Sequence, residues 1–491
     1  METSRQENES SGGLNLTRRN FVRSTTAAGI GIGAIGTSKT ALGQEASKGK
    51  DIHVALIGCG AQGQALLNAS RFIDGVKFKA VCDIWQPNLK RVAGQIRGYK
   101  MAPDDAPNGL PGMYEKAEDL FEKEPTIDAV FVAVPDFVHH TYSIMALEAG
   151  KQVYCEKMMS NTIERARQMV QAQRATGQLL QVGHQRRSNP RYVHACETLT
   201  HDKQLLGWIT HAYAQWNRAT KSSNPLEWPE KYAIPEDKLR EFGFKNMFEF
   251  RNWRMFAEYG GGAISDLGAH QIDLFNWFFG ATPKSVIASG GVDYHHSYEQ
   301  HDNVMAIYEY DIPNTVFGTE AVANGKDTVT SRAYYQVLTT NGSQGFYEKF
   351  MGLNGTISIN ETATNNQVYR DSSAPDWEPF GKEGLVVRDL KGAKNYHKFW
   401  QNPKPWGESK EAVNDRWIAS NTDARVSKGL ETWEIPVTLD EPAHTPHVRN
   451  FIEVVRDGGA QDDLNCPVED AFRTCVTVLK INESIEKGAK V

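Results

Sequence analysis

Residues 52–63, Ile-His-Val-Ala-Leu-Ile-Gly-Cys-Gly-Ala-Gln-Gly, set an apolar run directly against three glycines, Gly58, Gly60 and Gly63. Ile52, Val54, Ala55, Leu56 and Ile57 read as a strand buried on both faces, the habit of parallel sheets. The glycines then turn the chain into a helix. The first allows the tight turn, the second lets backbone approach a pyrophosphate, and the third lets helix and strand pack closely. With Ala61 and Gln62 between them they form a predicted phosphate cradle at a helix N-terminus. The next apolar run, Phe78 to Val81, ends at Asp83. That is about 20 residues past the last glycine, where a carboxylate meets ribose hydroxyls. An acid there favours NAD, while nearby Arg91 leaves NADP open.

At 491 residues the chain exceeds one ordinary core, so two domains plus tails are expected. Strands and helices alternate from 52 to about 183, which implies βαβ units and a parallel sheet. A buried strand over 127–134 ends at Pro135, on the carboxyl edge where open α/β sheets bind ligands. A helix follows over 141–149. Gln152 to Cys155 forms a strand that runs straight into Glu156-Lys157-Met158, and Leu179 to Val182 exits through Gly183-His184-Gln185-Arg186-Arg187.

The series Gly58-x-Gly60-x-x-Gly63, Pro135-Asp136-x-x-His139 and Ala149-Gly150-Lys151-x-Val153-x-Cys155-Glu156-Lys157 resembles the Gfo/Idh/MocA oxidoreductases. That resemblance implies a nicotinamide dinucleotide held by the glycine turn, Asp83, Pro135, His139 and Glu156, and puts Lys157 beside the nicotinamide and the substrate hydroxyl. Met158 stands where the family usually has proline. The resemblance also implies that the chain crosses into its second domain near His184 and Arg187, close to the substrate, with interface salt bridges as the other reading of that pair.

The second domain opens with a helix over 190–200 and a strand over 209–216. An irregular stretch over 217–250 follows, a binding loop, a lid or a subunit contact. Next comes Gly260-Gly261-Gly262-Ala263-Ile264-Ser265-Asp266-Leu267-Gly268-Ala269-His270. Asp266 and His270 are four apart on a predicted helix and hence share a face, so the carboxylate can orient the imidazole or hold it charged. Oxidising a secondary alcohol needs a group to take the hydroxyl proton, and histidine suits that work. Asp273, one turn further, is a substrate-binding candidate with local pairing as its alternative. Segments 284–292, 304–310, 316–322, 334–340 and 352–359 alternate apolar and polar residues and read as antiparallel strands. Residues 361–430 form a polar insertion without a motif. Helices over 447–455 and 468–486 close the chain.

The formal net charge of −6, without a basic stripe or zinc-finger spacing, argues against nucleic-acid binding. The six cysteines show no CxxC and no metal spacing, so free buried thiols and no bound metal are expected. Thr17-Arg18-Arg19-Asn20-Phe21-Val22, a weakly apolar stretch over 25–36 and a small-residue site at 41–43 resemble a twin-arginine export signal. That stretch is too short and glycine-rich to span a membrane.

The reading is therefore α/β followed by α+β. A signal occupies 1–43, a doubly wound Rossmann domain 50–185, a domain with a large, mainly antiparallel open sheet 186–445, and closing helices 446–491. The expected activity is hydride transfer between a tightly bound NAD and a sugar, polyol or glycoside hydroxyl, in the periplasm. Lys157, Asp266 and His270 carry the chemistry in a homo-oligomer, a dimer or tetramer. The alternatives are redox-assisted glycoside cleavage and a non-catalytic dinucleotide- or sugar-binding scaffold.

Overall fold

A computed structural model describes residues 50–313, 327–362, 366–388 and 430–491. The proposed signal, the predicted strand over 316–322 and most of the 361–430 insertion lie outside the described residues. The first sheet contains β1 (Ile52–Ile57), β2 (Val76–Cys82), β3 (Gly112–Tyr114), β4 (Ala129–Val132), β5 (Gln152–Cys155) and β6 (Leu180–Val182). Its order is β3-β2-β1-β4-β5-β6, all parallel. The strand order reverses between β1 and β4, which opens a crevice at the carboxyl ends of both.

Helices cover both faces of this sheet. The helix predicted over 141–149 starts five residues sooner, at Asp136, because Pro135 has the extended backbone of an N-cap and the turn after β4 is short. The helix Ile163–Thr176 has no counterpart in the sequence reading, since only Ala166, Met169, Val170 and Gln173 of this polar segment are buried. The Thr162 hydroxyl caps its start by accepting from the Arg165 N–H, and Gly177 at φ 68° ends it.

The second sheet has nine strands: β7 (Ile209–Asn217), β8 (Ser285–Gly291), β9 (Asn303–Pro313), β10 (Thr328–Leu338), β11 (Phe346–Gly352), β12 (Gly355–Ile359), β13 (Gln367–Arg370), β14 (Val387–Arg388) and β15 (Glu431–Glu434). The order is β14-β15-β13-β12-β11-β7-β10-β9-β8. All pairs are antiparallel except β7 with β10. The single strand expected over 352–359 begins instead at β12, with β11 before it and a turn at Leu353–Asn354. One sheet face is covered by the helix Ala269–Phe279, whose Phe278 stacks on Phe350 at 3.7 Å. The helix Val468–Lys487 packs against β8 and against Ile163–Thr176, while Thr445–Asp457 packs against Ala61–Ser70. The closing helices therefore join the second sheet to the first domain.

The 217–250 stretch is more ordered than its composition suggests. It holds the short helices Glu236–Glu241 and Met247–Asn252. It also contributes Ile234, Leu239, Phe244 and Met247 to an aromatic cluster with Trp85 and Phe137 of the first domain. The Trp85 indole donates to the Tyr232 carbonyl at 2.7 Å. A second-domain segment thus roofs the crevice beside β2. All six cysteines are free and buried. Among the described residues no helix is long and apolar enough to cross a membrane.

Candidate active site

The crevice is a cavity of about 890 Å³, lined by both domains. Its first wall is the glycine turn. Gly58 sits at φ 97°, and a Cβ there would lie 2.3 Å from the Ala133 carbonyl oxygen. A Cβ on Gly63 would lie 2.0 Å from the Gly58 oxygen, whereas one on Gly60 would meet nothing within 4 Å. Gly58 and Gly63 are therefore glycine for packing, and Gly60 leaves bare backbone facing the cavity. The helix Ala61–Ser70 starts with no side-chain cap and no acid in its first turn, so its leading N–H groups are left for an anion. Asp83 accepts from the Cys59 and Trp85 N–H groups, both at 2.7 Å, which pins the turn to the end of β2. Burial pushes this carboxyl up to about 6 against the pull of those two donors. An open anion cradle with a carboxylate beyond it fits a dinucleotide.

Gly58, Gly60, Ala61, Gln62, Asp83, Pro135, His139, Glu156, Lys157, Asp266 and His270 all line this cavity. Lys157, at the exit of β5, donates from Nζ to the Asp266 main-chain oxygen at 2.6 Å and stands 3.7 Å from its carboxylate. The same carboxylate accepts from Arg254 Nε at 2.8 Å and faces Arg218 at 3.7 Å. Burial alone would raise its pKa, but Arg254, Lys157 and Arg218 hold it well below the usual carboxylate range. Asp266 is a fixed anion at neutral pH.

The expected Asp266–His270 partnership does not form. The helix widens to i→i+5 bonding over Ile264–Gly268, so residues four apart no longer stack, and Asp266 turns to its three cations. His270 is not held charged either. Burial first, then Lys157 and Arg186, push its pKa well below the ordinary value. Its buried Nδ1 has no hydrogen-bond partner among the described residues. The imidazole is therefore neutral, with a free ring nitrogen that can bond to a substrate hydroxyl.

Glu156 is buried beneath the glycine turn. Gln62 Nε2 donates to it at 3.0 Å and lies 2.9 Å from His444 Nε2, which belongs to the segment leading into Thr445–Asp457. His139 Nδ1 donates to the Met158 carbonyl, so this imidazole braces the cis Lys157–Met158 linkage from behind. Gly63, though part of the turn, is packed away from the cavity.

His184, Arg187 and Asp273 do not line the cavity, which corrects the expectation that they contact substrate. Arg187 makes two 2.8 Å bonds to Asp273 and one of 2.9 Å to Asp470. Thr474 donates to Asp273 at 2.7 Å, and His184 Nδ1 lies 3.9 Å from the same carboxylate. This network fastens the crossing segment to the helices Ala269–Phe279 and Val468–Lys487. Gln185, Trp216, Arg218, Arg254 and His444 also line the cavity, beyond the residues expected there from the sequence. Only the Trp216/Arg218 alternation at the end of β7 could have signalled any of them.

Burial holds His139 and His184 down to about 4 and His447 down to about 3. A lowered histidine pKa means that the folded state resists protonation as pH falls below about 6.5, while the unfolded chain takes the proton. In histidine-labelled protein these three imidazoles are expected to show no titration between about pH 5 and 8, by NMR. A titration midpoint near the free value would contradict their burial.

Residues 52–184 match the family described as "Oxidoreductase family, NAD-binding Rossmann fold", and residues 240–345 match the "GFO/IDH/MocA C-terminal domain". An inositol 2-dehydrogenase of Acidothermus cellulolyticus is 32% identical over 146 residues, 29% of this chain and 39% of that protein. An alpha-N-acetylgalactosaminidase of Tannerella forsythia is 29% identical over 184 residues, 34% of this chain and 38% of its own length. The chain thus spans well under half of each of these two relatives. A solved levoglucosan dehydrogenase, in complex with NADH and L-sorbose, superposes with a TM-score of 0.60 at 16% identity, covering 90% of this chain and 98% of the other. Each domain thus carries one segment that matches a model of the Gfo/Idh/MocA oxidoreductases.

Proposed function

We propose that the protein moves a hydride between a tightly held NAD and a hydroxyl-bearing carbon of a sugar or polyol. The observation that carries this reading is the meeting of Lys157 from the first domain with Asp266 and neutral His270 from the second, on the wall shared with the glycine turn. Bound NAD supplies the hydride acceptor. Lys157 donates a hydrogen bond to the reacting oxygen and stabilises the negative charge that grows on it. His270 takes the hydroxyl proton as the C=O bond forms, and returns it in the reverse direction. Asp266 orients the Lys157 ammonium and balances its charge. The aromatic cluster of Trp85 and Phe244 would cover part of a dinucleotide bound in the cavity.

The direct test is to purify the protein without added nucleotide, denature it and identify what is released. Stoichiometric NAD or NADH supports a retained cofactor; an empty protein that binds no dinucleotide when supplied with it contradicts the reading. The similarity to an alpha-N-acetylgalactosaminidase favours a second reading, transient oxidation of a glycoside followed by elimination and re-reduction. Product analysis separates the two, because only the second releases an aglycone without net oxidation.

Export by the twin-arginine route belongs to the same proposal, since a carrier of folded proteins moves a cofactor-loaded enzyme. Replacing Arg18 and Arg19 by Lys is expected to leave the protein in the cytoplasmic fraction; unchanged periplasmic recovery argues against the signal. Homo-oligomerisation is supported by a sheet face left open among the described residues, where Ile287, Met305 and Ile307 are 48%, 46% and 44% exposed. Ile287→Glu with Ile307→Glu is expected to shift the protein to monomer in light scattering. An unchanged mass places any contact elsewhere.

A further inference from the structure

The wall around Asp266 holds more cation than it needs. Three cationic side chains, Lys157, Arg218 and Arg254, surround one carboxylate. Arg254 uses Nε for its bond to Asp266, and its terminal Nη groups have no acceptor among the described residues. Its guanidinium lies 4.4 Å over the Trp253 ring, which fixes the plane of the fork. Arg218 comes no closer to Asp266 than 3.7 Å and makes no side-chain hydrogen bond among the described residues. It follows the end of β7, two residues after Trp216 and on the same side of the chain. Trp216 is itself stacked on Phe346 at 4.6 Å. The stacked Trp216 indole and a guanidinium that makes no side-chain hydrogen bond among the described residues therefore both line the cavity.

Two further carboxyls near these cations, Asp136 and Glu156, are buried. Burial pushes Asp136 up to about 7, and it raises Glu156, which already takes the Gln62 amide and the Lys157 N–H. The cations are not placed for a 2′-phosphate either. They gather around Lys157, whereas the ribose carboxylate Asp83 lies at the end of β2, beneath the roof.

Resting on the oxidoreductase reading above, we propose that the substrate is an acidic sugar, whose anionic group is received by Arg218 and the free fork of Arg254 while its hydroxyl lies at Lys157. A planar guanidinium recognises a carboxylate, sulfate or phosphate through paired charge-assisted hydrogen bonds. A neutral sugar hydroxyl accepts a single uncharged bond there and loses the paired ionic one.

The test is calorimetric titration of the dinucleotide-loaded protein with matched pairs: glucuronate and glucose, galacturonate and galactose, mannuronate and mannose. Glucose sulfate and glucose phosphate serve as further arms that identify the anion. At least one acid is expected to bind about tenfold or more tightly than its neutral partner. Arg218→Gln is expected to erase that preference, and Arg218→Lys to keep part of it. Equal binding within every pair, or an acid preference that survives Arg218→Gln, overturns the proposal. Because binding is read separately from turnover, an acid that binds selectively yet never reduces the bound dinucleotide counts against the oxidoreductase reading and not against the anion site.

Discussion

Lys157→Met is expected to lower kcat by about a thousandfold or more, with the fold and the bound dinucleotide retained. Methionine fills similar space but cannot donate to a developing alkoxide. The loss falls on kcat because the hydrogen bond to the reacting oxygen strengthens only as charge builds there. Asp266 keeps Arg254 at 2.8 Å and Arg218 at 3.7 Å, so the carboxylate does not become an unpaired buried charge. Steady-state kinetics beside a melting curve and a nucleotide assay check all three parts. Wild-type turnover in the variant would remove Lys157 from the mechanism even with the fold intact.

Gly63→Ala is expected to cost about 3 kcal/mol of stability and to abolish dinucleotide retention. The added Cβ would sit 2.0 Å from the Gly58 oxygen. Gly58 cannot withdraw, because it is held at φ 97° with its own Cβ position 2.3 Å from the Ala133 oxygen. Relief requires parting the helix Ala61–Ser70 from β1 and β4, which opens the cradle. Gly60→Ala is the informative contrast. Its Cβ meets no protein atom within 4 Å, so stability is expected to hold while the dinucleotide is weakened by a methyl group in its path. Thermal unfolding and dinucleotide titration of both variants distinguish packing from ligand approach. Equal stability losses in the two would contradict this division of roles.

The first half of the site was legible because it is local. Gly58 to Gly63, Asp83 and Lys157 each sit at the exit of a strand whose apolar run declares itself, and a parallel sheet brings those exits to one edge. The second half was legible by residue type but not by partnership. Asp266 and His270 were found from their spacing, yet spacing assumes an α-helix, and the local i→i+5 winding breaks the relation. Arg254 and His444 carried no signal, and Arg218 only its alternation with Trp216, because their importance comes from contacts that only the folded chain creates. For His184, Arg187 and Asp273 the sequence left substrate contact and salt-bridge or local pairing both open, and burial in a closed ion-pair network selects the second. The 217–250 stretch looked irregular because its regular elements are helices of six residues, and its order derives from aromatic packing on Trp85 and Phe137.

The central claim is direct hydride transfer at the Lys157–His270 wall. It is tested most directly by mixing NAD-loaded protein with a candidate sugar deuterated at the reacting carbon, quenching within one turnover and locating the label by mass spectrometry. Deuterium is expected on the nicotinamide ring of the bound cofactor, formed by the wild-type protein and not by Lys157→Met. A sugar that is converted to product while the cofactor remains unlabelled and oxidised would contradict it.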